Sequence, residues 1–217
     1  SIHLNHGGVE MGQGLMIKIA QLTAKEFGVN LNDIKITSTD TEKIPNTSAS
    51  AASASTDLNG AAAINAINRI KNNLKSFIET KYKLKTNKII YKNNQVIFGS
   101  TKISFKQLVV DAYMNRVSLS SNGFYKTPKI HVNKKNLKGR PFLYFSYGAA
   151  VSEVIVDTLT GENKITQVDI LHDVGNSINP RIDIGQIEGG FTQGVGWLTT
   201  EEISWDKKGL IKTHSPS

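Results

Sequence analysis

Residues 7–28, GGVEMGQGLMIKIAQLTAKEFG, form the stretch that says most about the fold of this chain. Four glycines fall within its first eight residues, and they precede a segment whose apolar side chains recur at helical spacing. Those side chains are Leu15, Ile19, Leu22 and Phe27. Gly28 stands where a helix C-terminus is commonly capped. The stretch therefore predicts a glycine loop that leads into an amphipathic helix over residues 15–27.

The glycine loop is a candidate ligand-binding site. Glycine permits positive φ angles and lets a ligand approach the backbone closely, and the free N–H groups at a helix start favour an anion. Gln13 carries both a donor and an acceptor, which suits the polar edge of a heterocycle. A tight turn with an exposed glutamine explains the same spacing, so the residues alone leave both interpretations open.

A second candidate site is the small-residue stretch SAASASTDLNG at residues 50–60. A strong helical pattern follows it, carried by Ile64, Ile67, Ile70, Leu74 and Ile78. Thr56 or Asp57 is the expected N-cap. Backbone N–H groups at this helix start, together with the hydroxyls of Ser53 and Ser55, predict a cradle for a phosphate or pyrophosphate. A flexible linker is the alternative interpretation.

A third candidate lies in a glycine-rich helix near the end of the sequence. Asn179 and Pro180 predict its start, with asparagine as the cap and proline in the first turn. Each internal glycine costs about 1 kcal/mol relative to alanine, so the glycines of residues 185–196 predict close packing against a backbone or a flat ligand. Gln186 is a second amide candidate in this helix. Packing between helices alone is the alternative.

The remaining elements predict an α/β (α+β) fold with a mixed sheet in two layers. We expect strands at residues 1–6 and 34–39, hairpins at 89–98, 142–171 and 205–211, and a helix capped by Ser104 that runs to Met114. Residues 118–141 are polar and irregular. We therefore expect two parts, residues 1–120 with the glycine loop and the Ser/Ala loop, and residues 121–217 with the long hairpin and the last helix.

Composition excludes several classes of site. The sequence has no cysteine, which excludes disulfides, thiolate zinc sites and iron–sulfur ligation within it. Its five histidines lack metal-ligand spacing, and no Gly-x-Ser-x-Gly elbow occurs. We therefore assign no catalytic and no metal-ligating residue.

The net charge of +8 is explained by a lysine-rich solvated surface, with a basic nucleic-acid-binding module as the alternative. No nucleic-acid reader motif supports that alternative, so we expect no nucleic acid among the partners. No apolar run approaches the roughly 20 residues of a membrane helix. We expect a cytoplasmic protein without a membrane partner.

Taken together, these segments resemble the xanthine dehydrogenase and aldehyde oxidase family of molybdenum hydroxylases. Residues 7–14 are similar to its Gly-Gly-Thr-Glu-Met-Gly-Gln-Gly stretch, and residues 45–60 and 173–189 resemble the segments that follow. Residues 194–202 and 213–217 look like the bacterial molybdopterin-binding large subunit in particular. The resemblance covers nearly the whole chain and is weakest in the middle.

The resemblance implies a molybdenum–molybdopterin cofactor. The residues that it places against the cofactor are Gly12, Gln13, Gly14, Ala51, Ala52, Ser53, Ser55 and Gln186. It also implies an intact enzyme that hydroxylates hypoxanthine and xanthine and passes electrons through 2Fe–2S clusters and FAD, bound elsewhere in that enzyme, to NAD. The implied partners are the remaining molybdenum-domain segments of the same large subunit, a small FAD/iron–sulfur subunit and a purine substrate. An aldehyde oxidase of the same family is the near alternative, and a cofactor-free interaction domain is a more distant one.

The sequence departs from the family pattern in one important respect. The family's general base is a glutamate in a Gly-Glu-Pro-Pro-Leu motif, which this sequence does not contain. We therefore expect an internal, partial piece of the cofactor-binding region that is inactive alone, with that glutamate beyond Ser217. Val9 and Ser50 each stand where the family usually has threonine.

Overall fold

The structure, a computed structural model, contains both helices and strands in two compact units. It describes residues 1–40, 42–43, 47–51, 53–86 and 88–213. The units are Ser1–Leu143 and Tyr144–Ser217. The expected mixed α and β fold is confirmed.

Among its described residues the first unit carries three α-helices and seven strands, besides a 3-10 turn at Leu31–Asp33. In chain order these are β1 (Ile2–Leu4), α1 (Leu15–Phe27), β2 (Ile34–Ile36), α2 (Ser55–Lys81), β3 (Ile89–Lys92), β4 (Gln95–Phe98), β5 (Thr101–Ser104), α3 (Phe105–Met114), β6 (His131–Asn133) and β7 (Lys138–Arg140). Strands β1 and β2 pair in parallel, β3–β4–β5 form an antiparallel meander, and β6 pairs antiparallel with β7. The β6–β7 pair lies in the stretch that the sequence indicated as irregular.

The core of the first unit lies where α2 packs on the meander and on α3. Leu74 and Ile78 of α2, Val96 of β4 and Leu108 of α3 are fully buried in one apolar cluster. A second cluster joins Leu15 and Ile19 of α1 to Ala63 of α2. Burying such side chains stabilises the fold by about 1.5–3 kcal/mol each. The core therefore fixes the first turn of α1 against α2.

Local signals explain most element boundaries in this unit. Helix α1 begins and ends as predicted, with Gly28 in the left-handed conformation as its C-cap. Asn93 and Asn94 both have positive φ in the turn between β3 and β4, as a two-residue hairpin turn requires. Ser104 caps α3 as predicted, because its Oγ accepts a hydrogen bond from the Gln107 N–H at 3.0 Å.

The start of α2 differs from the prediction. The helix begins at Ser55 after Ala54, so the expectation of Thr56 or Asp57 as the N-cap is wrong. Ala54 offers no side-chain oxygen, and no side-chain cap hydrogen bond forms at this helix start. The residue at the N-cap position of α2 therefore does not supply the side-chain acceptor that a serine, threonine, aspartate or asparagine there would give to the first N–H groups.

The polar stretch 118–141 belongs to the first unit, and the division falls after Leu143. Part of this stretch lies along α2. Asn65 Nδ2 donates to the Phe124 carbonyl at 2.7 Å, and Asn73 Nδ2 donates to the Ser118 carbonyl at 3.1 Å. Our separation into residues 1–120 and 121–217 stays a prediction for the larger protein.

The second unit is a long antiparallel hairpin and a helix. Its elements are β8 (Gly148–Val156), β9 (Asn163–His172) and α4 (Pro180–Thr199), and Trp205 and Ile211 form a further bridge. Asn179 caps α4 as predicted, because its Oδ1 accepts from the Ile182 N–H at 3.2 Å. None of the residues described in this unit is buried.

None of the helices within the described ranges combines the length and the apolar character that crossing a membrane requires.

Candidate cofactor-binding site

The start of α1 is organised by Glu10. Its Oε1 accepts hydrogen bonds from the N–H groups of Gly12 and Gly14, and its Oε2 accepts one from Met16, all at 2.9 Å. A carboxylate that accepts hydrogen bonds at a helix start is also stabilised by the positive end of the helix dipole. At α1 two of the N–H groups that an external anion could use, those of Gly14 and Met16, are therefore already bonded to a residue of the loop.

These contacts determine the ionisation of Glu10. Partial burial raises the pKa of the Glu10 carboxyl, but hydrogen bonds from the N–H groups of Met16, Gly14, Gly12 and Met11 outweigh burial and hold this pKa below its ordinary value. Glu10 is consequently an anion at neutral pH.

The side chain of Gln13 turns back onto its own loop. Its Oε1 accepts from the Met11 N–H at 2.6 Å, and its Nε2 donates to the Val9 carbonyl at 2.7 Å. The flanking Gly12 and Gly14 have φ angles of 104° and 77°, which side chains larger than hydrogen rarely adopt. Because an amide has two N–H donors and two acceptor lone pairs, the Gln13 side chain keeps hydrogen-bonding capacity for a ligand.

The glycine loop and the Ser/Ala loop lie side by side. The Val9 N–H donates to Ser50 Oγ at 2.8 Å, across 41 positions of sequence. A Cβ at Gly8 would lie 2.4 Å from Leu15 Cδ2 and 2.9 Å from Asn59 Nδ2, so a larger residue would displace these buried side chains of α1 and α2. The first two candidate segments are therefore adjacent in the first unit.

The residues predicted to form a phosphate cradle lie just before α2 and at its first position. Ser53 is exposed with a φ of 56°, Ala51 is exposed, and Ser55 is half-buried as the first residue of α2. Ala52 lies outside the described residues. The hydroxyls of Ser53 and Ser55 thus lie at a helix start that lacks a side-chain cap, an arrangement suited to an anion of the size of phosphate.

His6 is a neighbour of the site that sequence reasoning missed. It is 8% exposed, and its Nδ1 accepts from the Gly8 N–H at 3.1 Å. Burial lowers the pKa of His6, and the charge of Glu10 raises it by less, so the pKa lies below its ordinary value. The proton of the neutral ring then sits on Nε2, which has no hydrogen-bond partner among the described residues. The sequence signal that could have indicated a role for His6 in this loop was its position directly before Gly7 and Gly8.

Gln186 belongs to the second unit, where it is exposed on α4. A Cβ at Gly185, Gly189, Gly190 or Gly194 would meet no atom within 4 Å. The close packing predicted for these glycines is therefore not made by any described part of the chain. The described residues include no group of three His, Asp or Glu side chains that could hold a metal ion.

A comparison with models of protein families identifies the family of this chain. The family model for the molybdopterin cofactor-binding domain matches residues 1–217. The chain belongs to the molybdopterin cofactor-binding domain family. The family expected from the sequence motifs is confirmed.

Curated relatives agree with this assignment. The chain is 45% identical over 205 residues to a xanthine dehydrogenase of Oryza sativa subsp. japonica, with 94% of this chain and 14% of the relative covered. It is 44% identical over 217 residues to a xanthine dehydrogenase/oxidase of Mus musculus, with 100% of this chain and 15% of the relative covered. The chain thus spans about one seventh of the length of these relatives.

Solved structures share the fold. A reconstituted CO dehydrogenase from Oligotropha carboxidovorans superposes with a TM-score of 0.80 at 23% identity, covering 99% of this chain and 26% of that chain. A quinoline 2-oxidoreductase from Pseudomonas putida 86 gives a TM-score of 0.80 at 21% identity, covering 98% and 27%. At these identities the likeness concerns the fold alone, and it supports the predicted fold of mixed helices and strands.

The residues present fit the cofactor that the family implies. A pterin offers ring nitrogens and an amide edge, which suit the Gln13 side chain and the exposed backbone of the glycine loop. Its phosphate suits the uncapped start of α2 with Ser53 and Ser55. The donors therefore match both the heterocyclic part and the anionic part of a molybdopterin.

Proposed function

We propose that this chain binds molybdopterin within a xanthine dehydrogenase-type enzyme. The observation that carries the proposal is the hydrogen bond from the Val9 N–H to Ser50 Oγ, because it holds an amide-bearing loop beside an uncapped helix start. One loop then recognises the pterin while the other receives its phosphate.

In this proposal Gly12, Gln13 and Gly14 contact the pterin through the amide side chain and the backbone of the glycine loop. The left-handed glycines expose the backbone on both sides of Gln13. Both ends of the Gln13 amide are already oriented by Val9 and Met11, so the side chain pays little conformational entropy on binding.

The phosphate is assigned to the Ser/Ala loop. Ala51 and Ala52 allow close approach of the ligand to the backbone, and Ser53 and Ser55 donate their hydroxyls beside the first N–H groups of α2. Gln186 of the second unit is proposed as a further pterin contact from the family motif that contains it.

The bound molybdenum centre would supply the redox and oxygen-transfer chemistry. The residues of this chain bind and orient the cofactor, and none of them is assigned a proton-transfer step. In the intact protein we propose hydroxylation of hypoxanthine or xanthine, with electrons passing through 2Fe–2S clusters and FAD to NAD. The partners are the remaining parts of the cofactor-binding subunit and a small FAD/iron–sulfur subunit, in the cytoplasm. The xanthine dehydrogenases among the relatives support this choice over an aldehyde oxidase.

The test is the molybdenum and pterin content of the complete protein, purified with its partner subunit from a host that makes the cofactor. We expect stoichiometric molybdenum in the wild type and a marked loss in Gln13→Ala and in the Ser53→Ala/Ser55→Ala double variant. Ser76→Ala, an exposed serine further along α2, is the matched control and should retain the cofactor. A wild-type protein that contains neither molybdenum nor pterin would contradict the proposal.

A further inference from the structure

Glu10 has no assigned part in cofactor binding. Its side chain nevertheless forms more hydrogen bonds with the backbone of the glycine loop and the first turn of α1 than any other described side chain of that loop. Its carboxylate accepts three backbone hydrogen bonds, from Gly12, Gly14 and Met16. Two of these donors are the left-handed glycines that flank Gln13. The shape of the loop around Gln13 therefore depends on a negative charge at Glu10.

We infer that Glu10 is a positioning residue with two effects. It holds the Gln13 loop in the conformation that binds the pterin. Its carboxylate also occupies N–H groups at the start of α1, so the phosphate of the cofactor does not bind there. This inference deepens the proposed function and rests on it. Glu10 does not touch the cofactor; it acts through the backbone on both sides of Gln13.

Glu10 and Gln13 form hydrogen bonds with different residues of the same glycine loop. The Gln13 side chain forms hydrogen bonds with the backbone of Val9 and Met11, and the Glu10 side chain accepts hydrogen bonds from Gly12 and Gly14. Together the two side chains restrain the backbone of the loop on both sides of Gln13. Neutralising Glu10 removes the charge that makes these hydrogen bonds strong. The two glycines then regain their wide range of φ and ψ angles, and Gln13 loses its fixed direction.

The negative charge of Glu10 affects where the phosphate of the cofactor can bind. A helix start stabilises one anion by its N–H groups and dipole, and at α1 these groups already face the Glu10 carboxylate. A phosphate placed there would meet a like charge. At α2 the residue before the helix, Ala54, has no side-chain oxygen, and it is there, beside Ser53 and Ser55, that the proposed function places the phosphate.

The experiment uses the complete holoenzyme with its partner subunit. Glu10→Gln removes the charge at nearly constant volume, and Glu26→Gln is the matched control. Glu26 lies on the same helix, where its carboxylate pairs with Lys71 at 2.6 Å, away from the loop. Retention of molybdenum and pterin is measured after extended dialysis of each variant. A Glu10→Gln/Gln13→Ala double variant completes a mutant cycle.

We expect cofactor retention to fall roughly tenfold in Glu10→Gln, as for other residues that orient a ligand-binding group, and to stay at the wild-type level in Glu26→Gln. The double variant should retain as much cofactor as Gln13→Ala alone, because both changes act on the same contact. Additive losses, or full retention in Glu10→Gln, would overturn the inference while leaving cofactor binding intact. A wild type without cofactor would instead refute the proposed function.

If Glu10→Gln does not fold, Glu10→Asp provides the test, since it keeps the charge and shortens the side chain by one methylene. Retention between the wild type and Gln13→Ala is then expected. Retention equal to the wild type with hydrogen exchange of the loop unchanged would overturn the inference.

Discussion

Helices α1 and α2 start beside each other but satisfy their first N–H groups in opposite ways. At α1 the carboxylate of Glu10 accepts hydrogen bonds from Gly14 and Met16. At α2 the residue before the helix is Ala54, and no side-chain cap forms. Two N–H groups of the first helix start are therefore already bonded to a carboxylate of the preceding loop, whereas the residue before the second helix supplies no side-chain acceptor.

This difference indicates how two loops that each precede a helix can be suited to different parts of a ligand. One loop is held in a defined shape by a charge of its own, which leaves the Gln13 amide as its ligand-binding group. The other loop offers the hydroxyls of Ser53 and Ser55 beside a helix start whose preceding residue, Ala54, has no side-chain oxygen, and its own acidic residue is Asp57 in the first turn of α2. The predictions below test that division.

The largest effect is expected where the two helix starts are joined. Gly8→Ala would place a Cβ 2.4 Å from Leu15 Cδ2 and 2.9 Å from Asn59 Nδ2, so these two buried side chains must shift at the contact between α1 and α2. Overpacking of this kind destabilises a protein by about 1–3 kcal/mol. Hydrogen exchange should rise at both helix starts together. Protection that is lost at only one of them would show that they are independent.

A smaller effect is expected from the cap of α1. Glu10→Gln should destabilise the first turn of α1 by about 1 kcal/mol, since three charge-assisted hydrogen bonds are weakened at an exposed position. Ser53→Ala/Ser55→Ala should change α2 by less than about 0.5 kcal/mol, because no side-chain cap is removed. Local hydrogen exchange measures both. Equal losses at the two helices would contradict the comparison.

The cap of α1 should also be sensitive to acid. Because the folded-state pKa of Glu10 lies below the ordinary value of 4.5, the unfolded chain takes up the proton first as the pH falls. The stability that Glu10 contributes is thus present above pH 4.5 and is lost as the pH falls through the lower folded-state pKa. Exchange at Met16, corrected for its intrinsic pH dependence, should show this loss in the wild type and not in Glu10→Gln.

His6 should give a separate acid effect at higher pH. Its folded-state pKa lies below the ordinary 6.5, so the unfolded chain protonates first and stability declines as the pH falls below 6.5. Protonation would also convert Nδ1 from an acceptor into a donor facing the Gly8 N–H. His6→Asn keeps an acceptor for Gly8 and should remove the decline. An unchanged pH profile in that variant would assign the effect to another group.

The smallest effect is expected from a free anion. Inorganic phosphate should protect the start of α2 in the cofactor-free complete protein by about 0.4 kcal/mol when its concentration equals its dissociation constant. The protection should be absent in Ser53→Ala/Ser55→Ala and retained in Glu10→Gln. Protection centred on α1 in the wild type would contradict the view that Glu10 closes that helix start.

Much of the fold could be predicted from local signals. Apolar spacing and Gly28 gave the correct bounds of α1, and Ser104 and Asn179 identified the starts of α3 and α4. The start of α2 was misassigned because several consecutive residues, including Thr56 and Asp57, are all acceptable caps. The β6–β7 pair was missed because its strands have only three residues each and no exclusively apolar face.

Candidate site residues were predicted in part. Gln13, Ser53 and Ser55 lie in the first unit, in the two loops that the Val9–Ser50 hydrogen bond connects. Glu10 and His6 were overlooked because a charged residue in a loop usually points to solvent, and a lone histidine carries no ligand spacing. The roles of all the site residues as cofactor contacts stay predictions.

The sequence by itself determined which segments form helices, where glycine permits unusual backbone angles, and which loops carry amide or hydroxyl groups. These properties depend on neighbours within a few positions of the chain. Only the tertiary structure decided that Glu10 occupies the start of α1, that α2 remains uncapped, and that Val9 reaches Ser50. The physical reason is that a glycine loop permits many backbone conformations, and the packing of α1 against α2 selects the one in which these groups meet.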